Sequence, residues 1–504
     1  MNLPLKLAEQ SKNFPNKEAI IYNEQRITYG ELDASVKKLA HGLSKLGILP
    51  GDRVLLALEN CPEFVISYYA ILRARGIAVP VNPQYTMNEL SVIMANALPK
   101  TAITTREIAP LLASISEETP LEKGIITIGA PEETGGAISF KKVLDSGSPD
   151  FASVKPARNE VAVLMFTAGS TGSTRGAMLT HHNLFSNAEA FAQCCRLTPA
   201  DRSLLIAPAY HAAAQTCVMN ATLVTGATLF IHEGWKGPGP LLESIQNDRI
   251  TFYFGPPTMY TLLVDHPDTE NYNLESWRYA LTGAAPTPPD LFKKFQDRFG
   301  FQLMEGYGLT ETSPVTTMMP LEGTYKIGSI GLPIPGVEVR IVDYEDREVP
   351  VNQIGEIVVR GPNVMKGYYN RPEETNWVMR NGWFHTGDLA YMDSSGYLFI
   401  VDRKKDLVIR GGLNIYPKEI EEVLYSHPSV FDAAVIGVPD PIMGEEVMAF
   451  VLLREGVNVT PEEIREFCSK KLARYKIPKH IRFVENLPKT TTGKLLKKEL
   501  QKMI

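Results

Sequence analysis

The chain is poor in cysteine: Cys61, Cys194, Cys195, Cys217 and Cys468 are the only five among 504 residues. They make no C-x-x-C pair and no metal-ligand spacing, which excludes a disulfide framework and a cysteine-held metal; reduced, mostly buried thiols of a cytoplasmic protein are expected. A large excess of charge of one sign is lacking too, with 51 Lys and Arg against 57 Asp and Glu. A formal net charge of −6 and an isoelectric point near 5.9 give no general attraction for nucleic acid or anionic membranes. Basic residues do cluster in "KLLKKELQK", which reads as a solvated helix face. The first residues lack the continuous apolar core of a secretory signal. The stretch from Ser203 to Ile231 carries no Asp, Glu, Lys or Arg, but Pro208, His211, Gln215 and Asn220 interrupt it. Strand–loop–helix–strand therefore fits better than a membrane span. Internal repeats, low-complexity segments and the Walker string G-x-x-x-x-G-K-[ST] are all missing, and the last absence disfavours a P-loop NTPase.

What is present is ordinary globular material, 44% hydrophobic and 21% charged, of a length that suits two to four domains. Thr28 and Glu31 are spaced as a capping box, and Leu32, Val36, Leu39, Leu43 and Leu46 follow at helical spacing until Gly47. "DRVLLALEN" and "GIAVPVNP" read as buried strands, with a helix opening at Pro62 between them. Strands alternating with helices imply parallel βα units, and the rhythm returns over 201–300. After about 323 short strands separated by Gly and Pro suggest a β-rich subdomain. Beyond 402, helices starting at Pro417 and after Thr460, with strands between and after them, suggest a compact α+β unit. The expectation is an α/β protein: residues 1–401 as a large layered N-terminal domain (β-rich over about 323–401), a hinge at 402–407 in "VDRKKD", and a small mobile α+β domain over 408–504.

"FTAGSTGSTRGAMLT" (166–180) follows an apolar run and holds Gly169, Gly172 and Gly176 among six hydroxyl residues. Glycine lets backbone N–H groups converge on an anion, Ser and Thr add donors, and Arg175 adds a permanent charge with paired donors. The pattern fits a phosphate loop or a flexible polar turn.

Taken with "EGYGLTET", "NGWFHTGDLAYMD", "DRKKDLVIRGGLNIYPKEIE" and "PKTTTGKLLKK", in that order and over nearly the whole chain, the loop resembles that of the adenylate-forming (ANL) superfamily. Within it the sequence is similar to acyl-CoA synthetases of the bacterial medium- and long-chain fatty-acid type. The resemblance implies two half-reactions. A carboxylic acid and ATP give an acyl-adenylate and pyrophosphate, and coenzyme A then takes the acyl group and releases AMP. It also implies ATP, Mg²⁺ and coenzyme A as cofactors, no nucleic-acid partner and no transmembrane segment. A homodimer and transient membrane contact stay open. The alternatives are an aryl-acid CoA ligase of the benzoate or coumarate type and a nucleotide- or acyl-binding pseudoenzyme.

Site residues follow by the same resemblance. Thr167, Ala168, Gly169, Ser170, Thr171, Gly172 and Arg175 would hold the β- and γ-phosphates, Thr310 the α-phosphate, and Glu311 would position Mg²⁺. Gly283, Ala284 and Ala285 would face adenine, with Glu305, Gly306 and Tyr307 as the opposite wall; Asp388 and Arg403 would take the ribose. Lys494 would bridge carboxylate and α-phosphate during adenylation. Lys405 would be the hinge about which the C-terminal domain swings to present Arg410, Gly411, Gly412, Leu413 and Asn414 to the pantetheine channel. His211 would gate the carboxylate entrance, and Tyr210, Ala213, Phe254, Gly255 and Gly283 would wall an apolar acyl pocket. The usual family loop reads Thr-Ser-Gly-Thr-Thr-Gly, then x-Pro-Lys-Gly. Here Ala168 replaces a hydroxyl, Thr174 stands at the proline and Arg175 at the lysine.

Overall fold

The computed structural model describes residues 1–129, 137–152, 155–168, 174–489 and 495–504. Local signals act as their chemistry requires. Glu31 N–H donates to Thr28 Oγ1 (3.2 Å) and Thr28 N–H donates back to the Glu31 carboxylate (2.8 Å). This starts a helix, Tyr29–Lys45, that buries Leu32, Val36, Leu39 and Leu43. Pro62 opens the helix Pro62–Arg73. The uncharged run becomes strand Arg202–Leu205, a π-helix Ala214–Asn220, helix Ala221–Thr225 and strand Thr228–Ile231. Among the described residues no helix is long and apolar enough to cross a membrane.

Four sheets result among the described residues. One has seven strands in the order Ile138–Ser139, Ile125–Ile128, Thr101–Thr105, Arg53–Ala57, Ile77–Pro80, Val161–Ala168 and Thr174–Thr180. It is parallel apart from the closing pair, which runs antiparallel. A nine-stranded sheet has at its centre the parallel neighbours Arg202–Leu205, Phe252–Gly255, Tyr279–Gly283 and Leu303–Gly308. Its ends are antiparallel. Such an α/β arrangement leaves a crevice at the carboxyl ends of the parallel strands.

The third sheet is antiparallel, Glu338–Val342, Gly355–Arg360, Phe384–Met392 and Leu398–Arg403. Its last strand runs through Asp402 and Arg403, two residues expected in the hinge; the turn itself occupies 404–406. Beyond it a five-stranded sheet carries the helices Pro417–Tyr425 and Pro461–Ser469 around Val408, Ile415, Ile420, Leu424, Val435, Val451 and Ile464. The basic tail is more than a solvated face: Lys497 packs at 18% side-chain exposure, 2.9 Å from Glu421. All five cysteines are free thiols, with Cys195, Cys217 and Cys468 buried.

Candidate active site

The glycine-rich segment lies between two antiparallel strands, Val161–Ala168 and Thr174–Thr180, which pair from Val161↔Thr180 to Ala168↔Thr174. Gly169, Ser170, Thr171 and Gly172 lie outside the described residues, as does Lys494. The hairpin framing differs from a Walker loop, where a helix N-terminus follows the glycines and adds its dipole. Here the next helix, His181–Cys194, starts only after the whole second strand.

Thr167 and Arg175, register partners across the hairpin, open onto a cavity of about 580 Å³. The carboxyl ends of the central parallel strands form its floor with Gly283, Ala284, Gly306 and Tyr307. A Cβ on Gly283 would meet the Gly306 carbonyl oxygen at 2.6 Å, so the two strands approach this closely only because glycine stands there. Ala284 has φ +67°, strained for a residue with a side chain. Ala285 and Glu305 do not line the cavity.

Glu305, in the strand Leu303–Gly308, has its carboxyl shut off from water, and burial pushes its pKa up to about 7. Because this lies above the unfolded value of 4.5, the stability contributed by the protonated form is lost as pH rises towards 7. Wild-type protein is therefore expected to lose about 2 kcal/mol relative to Glu305→Gln between pH 5 and pH 7. Parallel urea titrations of the two proteins check this; a gap that does not change with pH rules it out.

One wall is built around Asp388. The Tyr307 hydroxyl donates to Asp388 Oδ2 at 2.6 Å, and Arg403 Nε lies 3.0 Å from Oδ1. Asp388 and Arg403 are themselves register partners on adjacent strands. The carboxylate charge raises the Arg403 pKa; burial, then the charge of Asp388, drives that of Tyr307 well up. Next to them lies Glu356, a residue that sequence reasoning missed. Its side chain is 7% exposed and lies 3.1 Å from Lys404 Nζ and 3.4 Å from His385 Nδ1, and it accepts the Gly387 N–H at 3.0 Å. Burial opposes its ionisation, yet His385 and Lys404 hold it down to about 2.

On the phosphate-loop side Glu311 is buried and accepts the Tyr368 hydroxyl at 2.8 Å. Arg175 lies over the Tyr368 ring and pairs with Glu374. Thr310 lines the cavity beside Glu311. The lining also has an apolar set, Phe191, Ala212, Ala213, Cys217, Phe254, Leu281 and Met318, and includes His211. Tyr210 and Gly255 are not on this lining. Sequence reasoning missed Phe191, Cys217 and Met318, which arrive from three separate elements and carry no local signal.

Lys405 reaches the cavity, whereas Arg410, Gly411, Gly412, Leu413 and Asn414 do not. They make the tip of a hairpin, with Gly411 at φ +56° and Gly412 at φ +80°, and with Arg410 tied to Glu446 at 2.7 Å.

Two family models match the chain: AMP-binding enzyme over residues 7–369 and AMP-binding enzyme C-terminal domain over residues 419–494. A long-chain-fatty-acid–CoA ligase of Bacillus subtilis is 37% identical, with 98% of this chain and 93% of the relative covered. A feruloyl-CoA synthase of Amycolatopsis is 38% identical, with 99% and 98% covered. The crystal structure of ATP-bound MatB from Rhodopseudomonas palustris superposes with a TM-score of 0.92 at 33% identity, covering 100% of this chain and 99% of that one. The chain belongs to the AMP-binding enzyme family, within the adenylate-forming (ANL) superfamily.

Proposed function

We propose that the protein is an acyl-CoA synthetase that joins a fatty acid to coenzyme A through an acyl-adenylate, with ATP as the energy source. The observation carrying this reading is a single cavity whose lining gathers charged and hydroxyl groups (Arg175, Thr310, Glu311, Asp388, Arg403) together with an apolar set (Phe191, Cys217, Phe254, Leu281, Met318). A carboxylate must meet a polyanionic nucleotide there, and fixed donors in a water-poor site favour that encounter most as charge moves in the transition state.

In this reading Asp388, held by Tyr307 and Arg403, accepts both ribose hydroxyls. Gly283, Ala284 and Gly306 leave a flat slot for adenine, while Thr167, Arg175 and the loop glycines receive the β- and γ-phosphates. Thr310 serves the α-phosphate, and His211 stands where the acid carboxylate enters. Lys494 bridges carboxylate and α-phosphate in the first half-reaction.

Glu311 fits a magnesium ion brought by the nucleotide. It is a buried carboxylate with one oxygen engaged by Tyr368, and among the described residues no group of three or more acidic, His or Cys side chains could hold a metal. A single carboxylate suits an ion whose remaining ligands are phosphate and water; when bound it would neutralise phosphate charge. For the second half-reaction, rotation about Lys405 would bring the Arg410–Asn414 hairpin tip to the cavity. The glycines there leave room for a thin thiol arm against the backbone.

A second reading, an aryl-acid CoA ligase, is favoured by cavity size. About 580 Å³ must serve nucleotide and acid together, which suits a compact ring against Phe191, Phe254 and Met318. A panel of alkyl and aryl acids with ATP and Mg²⁺, with and without coenzyme A, decides. Coenzyme-dependent thioester with medium or long alkyl acids supports the first reading. Thioester only with cinnamate- or benzoate-like acids supports the second. Nucleotide binding without pyrophosphate release overturns both in favour of a pseudoenzyme.

A further inference from the structure

Arg175 stands on a strand that is tied along its other edge to residues 366–369. Met178 N–H donates to Gly367 O (2.9 Å), Lys366 N–H to Met178 O (2.9 Å) and Tyr369 N–H to Gly176 O (2.8 Å). That segment leads into the helix Pro372–Val378, whose Glu374 brings Oε2 to 2.6 Å from Arg175 Nε. The guanidinium also lies 5.4 Å from the centroid of the Tyr368 ring, and the Tyr368 hydroxyl is fixed by Glu311 at 2.8 Å. Arg175 is thus engaged by one edge and one face, at 16% side-chain exposure, while it lines the cavity.

Resting on the ATP-binding reading, we infer that Glu374 and Tyr368 are positioning residues that aim the terminal N–H groups of Arg175 at the triphosphate. A guanidinium has five N–H groups in a rigid fork, and Glu374 meets it at the Nε edge as an ion pair without an aligned N–H bond, which leaves terminal N–H groups for a phosphate. A lysine ammonium is a point charge, and Glu374 would neutralise it. Two effects of Glu374 oppose each other. Its negative charge weakens the pull on an anion; the paired Oε2 is itself shut off from water, so only the outer part of the side chain, 30% exposed overall, is screened by water and salt. Its ion-pair contact with the Nε edge limits where a long side chain can swing and so favours two-point contact by the terminal nitrogens. Orientation wins for arginine and the charge effect wins for lysine.

The test is ATP affinity by calorimetry, with Mg²⁺ and without acid, on the full-length protein. Glu374→Ala is expected to weaken ATP binding about 5–10-fold. Arg175→Lys is expected to weaken it by a similar factor. In the Arg175→Lys background, Glu374→Ala is expected to tighten binding about 2–5-fold, a reversal of sign that general loosening of the helix would not produce. Tighter binding by Glu374→Ala alone, or the same loss in both backgrounds, overturns the inference. ATP bound by the wild type without pyrophosphate release on any acid overturns the synthetase while leaving these affinities to judge the inference. Wild type that binds no ATP overturns both.

Discussion

Asp388→Ala is expected to lower kcat/KM for ATP in acid-dependent pyrophosphate exchange by about a thousandfold. Asp388 accepts the Tyr307 hydroxyl at 2.6 Å and pairs with Arg403 at 3.0 Å, and its side chain is only 4% exposed. Truncation would remove the two oxygens proposed to accept from the ribose and leave a guanidinium at 33% exposure without its counter-charge. Loss of a partner from such a pair costs more than the pair's net value. Asp388→Asn keeps the shape and one acceptor, so a loss of about ten- to fiftyfold is expected. Thermal melting separates site damage from unfolding. A KM for ATP within threefold of wild type in soundly folded Asp388→Ala would remove Asp388 from the nucleotide site.

Lys494→Ala should divide the two half-reactions. If Lys494 bridges the acid carboxylate and the α-phosphate, its ammonium favours a charge distribution that exists only during adenylation. Acyl-adenylate formation is expected to fall by about 10²–10³, the usual effect of removing one preorganised donor. Thioester formation from supplied acyl-adenylate should change by less than about threefold. Equal losses in both half-reactions would refute the role. Because the substitution leaves the Asp388–Arg403–Tyr307 group untouched, ATP binding in the absence of acid should persist.

What could be read from the sequence was what is decided locally or written in a contiguous motif. The capping boxes at Thr28 and Thr460 formed, and Pro417 opened its helix, because capping and proline geometry depend on a few neighbouring residues. The α/β class followed from alternating buried strands and amphipathic helices. The motifs placed Asp388, Arg403, Tyr307, Thr310 and Glu311 around one cavity. What stayed hidden arises from pairing across long separations. Glu356 reaches Lys404 across 48 residues, and Tyr368 reaches Glu311 across 57. Glu356 did leave a trace, a charge in the otherwise apolar strand Gly355–Arg360, buried through its first five residues, where a buried carboxylate needs cationic company. Glu374 left none, since an acidic residue in a first helical turn is commonplace.

The close approach of Gly283 to the Gly306 carbonyl has a consequence for how such a site diversifies. There the width of the slot is set by main chain, and a point substitution meets peptide atoms that cannot step aside. Elsewhere on the lining the side chains of Phe191, Cys217, Phe254 and Met318 contribute to the shape, and a side chain can be exchanged without moving a strand. Drift in sequence is therefore costly where the base is proposed to lie and cheap where the acid is proposed to lie. In the proposed reading, substitutions among the apolar side chains can retune the acid while the main chain of the nucleotide slot stays as it is.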